Sequence, residues 1–69
     1  MKNVSSDRWR WARAQEAAEQ SLRYAGRTHG ERRAIALANV RQIIDYLATD
    51  GAPPEVVAEL EKSLEWFGL

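Results

Sequence analysis

The sequence has no cysteine and only one histidine, His29, in 69 residues. Without thiols there is no disulfide, no thiolate-held metal and no cysteine nucleophile. A lone imidazole cannot build the multi-histidine sites typical of zinc. No apolar run approaches the roughly 20 residues a membrane-spanning helix needs. The stretch Met1–Ser6 lacks the apolar core of a signal peptide, so a cytoplasmic location is expected and no membrane partner. Sustained period-two alternation between turn signals is missing too, which argues against strands. Net charge is also missing: ten basic residues balance ten acidic ones. The four glycines and two prolines are few, and they sit between or at the ends of helical patterns.

What is present is globular in kind, with 45% hydrophobic and 29% charged residues. The length fits a single domain, 1–69. A domain of this size buries only about 60% of its unfolded surface. With neither disulfide nor metal to hold it, well-formed helices or a second chain must supply stability, and a homodimer is expected. The charge that cancels overall is divided along the chain. Residues 1–33 hold eight basic against four acidic side chains, and residues 34–69 hold two basic against six acidic. Surfaces of opposite sign follow, fit either for each other or for a charged partner.

Three helices are readable, at about 7–25, 29–49 and 54–67. Ser6 is placed to cap the first, with Asp7 in its first turn. Trp11, Ala14, Ala18, Leu22 and Ala25 recur at three- and four-residue steps on one face, and Gly26 is the expected stop. Thr28 and Glu31 have capping-box spacing for the second helix. Its apolar arc runs through Ala36, Leu37, Val40, Ile43, Ile44 and Leu47, and Gly51 suits a left-handed cap at its end. Pro53-Pro54 opens the third helix, where proline costs no hydrogen bond. Val56, Val57, Leu60, Leu64 and Phe67 line its inner face. Short connections imply antiparallel neighbours. The expected fold class is all-α: a three-helix bundle, or a helical hairpin completed by a third helix, assembled as a homodimer.

Several large side chains remain once this core is assigned. At 100° per residue Trp9 projects about 160° from Trp11, so both cannot face one neighbour. Trp9, Arg13, Gln20 and Tyr24 form a second stripe on helix 1. Tryptophan and arginine are enriched at binding hot spots, and guanidinium stacks on indole. Trp9, Arg10, Arg13, Tyr24 and Arg27 are therefore the expected partner-binding residues. Helix 2 carries a matching second stripe, Ile35, Asn39, Gln42 and Tyr46, which mixes apolar groups and amides as interfaces do. Together with Trp66, which lies off the inner face of helix 3, these residues are the expected dimer interface. Three tryptophans exceed what one small core encloses.

Catalysis finds little support. His29 sits in a helix's first turn with no second group at triad spacing. The carboxylates Glu16/Glu19 and Glu55/Glu59/Glu61 fall on polar faces. Residues 26–30 lack the lysine and hydroxyl of a phosphate loop, and no strand precedes them. No enzyme activity, cofactor or metal is expected. The alanine-rich Arg/Trp helix Asp7–Tyr24, the long amphipathic helix His29–Thr49 and the acidic helix Pro53–Trp66 together resemble, in layout, small phage- or plasmid-encoded regulators. Among these are the helical anti-activators that inhibit quorum-sensing transcription factors. The resemblance implies a dimer that binds a host protein and blocks its activity. The expected function is accordingly a non-enzymatic protein-binding module, an inhibitor or anti-activator of a regulatory or nucleic-acid-binding protein. The alternative is a DNA-binding regulator using the basic first helix and a helix-turn-helix made by helices 1 and 2. A sequence pI near 6.6 and four glutamates on the third helix weigh against it.

Overall fold

The computed structural model describes residues 4–68, and they form three helices: α1 Val4–Gly26, α2 Gly30–Thr49 and α3 Pro54–Trp66. The architecture is an all-α three-helix bundle. Its cross-section is small against its length, at 45 × 16 × 14 Å. α1 and α2 run side by side over their length. Arg10 meets Asp50 and Ser21 meets Asn39, so eleven residues forward on α1 match eleven residues back on α2. α3 folds against both.

Side-chain size decides how the helices pack. α1 contributes Ala18 and Ala25, both fully buried, and its alanines let α2 approach closely. The apolar volume comes from α2, through Leu37, Val40, Ile44 and Leu47, and from α3, through Leu60 and Leu64. Trp11, Leu22, Ile43, Val56, Val57 and Phe67 close the edges of this core. Among the described residues no polar side chain is buried, so the interior carries no desolvated charge that would need a partner.

The helix ends depart from the sequence reading in three places. α1 is already under way at Val4, so Ser6 is not its cap. No glycine or proline precedes Ser6 to stop the helix from extending back. The capping box at Thr28 does not form either. The cap position of α2 is His29, extended at φ −135° and ψ 165°, with no side-chain capping bond. The Thr28 hydroxyl instead donates backwards to the carbonyl of Tyr24 at 3.0 Å, closing α1. Gly30 opens α2 at φ +59°, a conformation for which glycine is suited. The other end of α2 matches expectation. Gly51 takes φ +86°, and Ala52 N–H bonds to Leu47 O at 3.0 Å. That six-to-one closure is a Schellman motif, with buried Ala52 against buried Leu47 as its apolar contact. α3 opens at Pro54 with Pro53 before it and ends one residue earlier than expected, at Trp66.

Arg33 holds the α1–α2 turn together. Its Nε donates to the carbonyls of Ala25 and Thr28, each at 3.0 Å. Its guanidinium lies 5.7 Å from the centroid of Phe67, at the end of α3. One half-buried side chain thus satisfies the Thr28 carbonyl, shares that of Ala25 with the Thr28 N–H at 3.4 Å, and reaches the end of the third helix. Arg33→Ala is expected to cost about 1–3 kcal/mol, the range for leaving such an acceptor unpaired. Arg32→Ala, at an exposed neighbour, should stay within about 0.5 kcal/mol. Chemical denaturation followed by circular dichroism separates the two, and equal midpoints would show that the clamp contributes nothing.

Candidate binding face

Two of the three indoles stay outside the core. Trp9 is 64% exposed and Trp66 is 80% exposed. Trp11 differs: its ring packs against the core and its Nε1–H donates to Asp50 Oδ2 at 2.8 Å. The same carboxylate oxygen accepts from Arg10 at 2.6 Å. Arg10 Nε also donates to the Tyr46 hydroxyl at 2.9 Å, and Asp7 lies 3.1 Å from the guanidinium. The hydrogen bond to Asp50, then that to Tyr46, push the Arg10 pKa up from an already high value. Arg10 therefore stays charged at any working pH. These five groups form a clasp between the start of α1 and the end of α2. Arg10 and Tyr46, which the sequence reading placed in different interfaces, are bonded to each other within one chain.

The rest of the two expected stripes converge. Leu22 borders a groove against α3, and Tyr24 projects about 160° from it around α1. Arg33 reaches over Phe67, just past the end of α3, and Ile35 projects about 160° from Arg33 around α2. Tyr24 and Ile35 therefore both point away from α3, and the helices run in step. A groove of about 510 Å³ lies between them. Its walls are Ala17, Gln20, Ser21 and Tyr24 on one side and Arg32, Ile35, Ala36 and Asn39 on the other. The Asn39 amide donates to the Ser21 hydroxyl across its floor at 2.8 Å. Ile35 is 63% exposed on the rim. Towards the start of α1 the Arg13 guanidinium stacks over Trp9, 5.0 Å from the ring centroid.

The outer face of the hairpin thus joins Trp9, Arg13 and Tyr24 of the partner-binding set to Ile35, Asn39 and Tyr46 of the dimer set. Gln42 is exposed on α2 between Asn39 and Tyr46. Arg27 is exposed in the turn after α1. Trp66 stands apart, on α3, edge-on to Phe67 at 5.0 Å, beside a second groove with Leu22 and Arg23. The sequence reading missed Asp50 as the acceptor that fixes Arg10 and Trp11, and Arg32 as a rim residue. Pairing the helices antiparallel in the sequence places Asp50 beside the start of α1.

His29 is exposed. Among the described residues no three or more histidines, cysteines or carboxylates are grouped to hold a metal ion. No helix among them is long and apolar enough to cross a membrane. Comparison with protein-family models, with curated proteins and with solved structures finds no match.

Proposed function

We propose that this chain is a protein-binding module that works without catalysis, as an inhibitor or anti-activator of a regulatory or nucleic-acid-binding protein. The observation that carries the reading is the outer face of the α1–α2 hairpin. Large side chains that a solitary bundle has no use for, Trp9, Tyr24 and Ile35, are left in water on one side of it. Arg13 stacked on Trp9 adds the aromatic–guanidinium chemistry of binding hot spots. The opposite flank offers a second chemistry. Glu55, Glu59, Glu61 and Glu65 are all exposed on α3, a run of anionic charge suited to the basic surface of a nucleic-acid-binding protein.

The exposed Arg8, Arg13 and Arg23 of α1 and Arg27 in the turn after it favour DNA binding as the second reading. Against it stands the parallel alignment of the helix axes. The paired contacts along α1 and α2 describe helices lying side by side, whereas a helix-turn-helix crosses at about 90–120° to free its second helix for the groove.

A photoreactive benzophenone amino acid placed at position 35 tests the proposal in the cells that make this protein, with the same group at Ala58 on α3 as control. The expected result is an adduct with a different protein from position 35 and none from position 58. Adducts to DNA alone, or identical adducts from both positions, would overturn it. Fluorescence anisotropy with duplex DNA at low salt is expected to stay flat.

A further inference from the structure

We propose that a second copy of this chain closes over the same hairpin face, giving a two-fold dimer in which the partner-binding surface is covered. The inference rests on the reading above in one respect only, that the covered face is the one a partner uses. On α1 the exposed seam steps from Arg13 to Ala17, Gln20 and Tyr24, and on α2 from Ile35 to Asn39, Gln42 and Tyr46. Both run in strides of four, three and four, the spacing that lets one helix lie along another. Given the matched strides of α1 and α2, the midpoints of the two seams lie level to within about one residue, about 1.5 Å.

A two-fold axis across the helices through that level lays each helix on its own copy, head to tail. Arg13 then meets Tyr24, and small Ala17 meets long Gln20. On α2, Ile35 meets Tyr46 and Asn39 meets Gln42. Each pairing is one the chemistry favours. The seam's single charge faces an aromatic ring, an aliphatic group faces an aromatic one, and amides, which both donate and accept, face amides. Among the eight seam residues there is no carboxylate and no second guanidinium, so the seam itself sets no like charges against each other, and Arg10 and Arg32 border it. Area points the same way. The chain exposes 5034 Å², some 600 Å² above the roughly 4,400 Å² usual for a monomer of this mass, and a standard interface removes about 800 Å² from each partner. A seam with three amides and only one large aliphatic side chain makes a dimer that can dissociate and so yield the face to another protein.

Sedimentation equilibrium from low micromolar to several hundred micromolar protein tests this. The wild-type mass is expected to rise from one chain towards two. The double variant Ile35→Glu/Gln42→Glu should stay at one chain mass with an unchanged circular dichroism spectrum, since both positions are exposed. Glu59→Gln on α3 should dimerise as the wild type does. A wild type at one chain mass throughout would overturn the proposal, and so would a double variant that dimerises as tightly as the wild type. The two readings fail separately. A monomeric protein that still gives foreign-protein adducts from position 35 loses the dimer and keeps the partner. A dimer whose position-35 adducts are all twice the chain mass keeps the dimer and loses the partner.

Discussion

Leu47→Ala is expected to destabilise the protein by about 3–5 kcal/mol, which at its upper end leaves much of it unfolded at room temperature. Leu47 is fully buried at the level where α2 meets the start of α3. Its side chain fills the core, and its carbonyl accepts the bond from Ala52 that closes α2. Truncation removes transfer energy and leaves a cavity, and buried leucines cost about 2–5 kcal/mol when cut to alanine. The upper part of that range applies because rigid helices on each side limit collapse into the space. Total stability for a small domain is often only about 5 kcal/mol. Urea titration followed at the helical circular dichroism band measures the loss. A cost below about 1 kcal/mol would mean that the bundle interior is far looser than its burial implies.

Ala18→Leu is expected to cost about 2–3 kcal/mol by the opposite route. Ala18 has no exposed surface and belongs to the core against which α1 packs. A leucine there must push the helices apart or adopt a strained rotamer, and overpacking typically costs about 1–3 kcal/mol. The same change at Ala12, which is exposed on α1, alters helix propensity very little and should leave the melting temperature almost unmoved. Comparing thermal melts of the two variants isolates packing from propensity. If Ala12→Leu lowers the melt as much as Ala18→Leu does, close approach of α1 and α2 is not what the alanine face provides.

The helices were legible because their signals are local. The alanine face of α1 puts Ala18 and Ala25 in the core, and the apolar arc of α2 is buried at five positions from Ala36 to Leu47. Pro53-Pro54 and Gly51 mark the boundaries that the structure shows. Thr28 was misread because its spacing to Glu31 suits a capping box, while the same hydroxyl can equally reach back to Tyr24. Which bond forms depends on the path of the turn, which Gly30 and Arg33 set together. The binding face was legible as two separate stripes only. That Trp9 and Ile35 share one surface depends on the register of α1 against α2, which no single-helix periodicity contains. The clasp at Asp50 was hidden for the same reason: its donors, Arg10 and Trp11, lie about forty positions away in sequence.

The register itself is secured at both extremities of the hairpin. Asp50 grips Arg10 and Trp11 at one end, and Arg33 grips Ala25 and Thr28 at the other. Sliding α1 along α2 by a single helical turn, about 5.4 Å, would break both grips together. The hairpin therefore behaves as a ruler of fixed length, and an inserted residue between Arg13 and Tyr24 would turn Trp9 and Arg13 about 100° out of line with Tyr24 while leaving every helix intact.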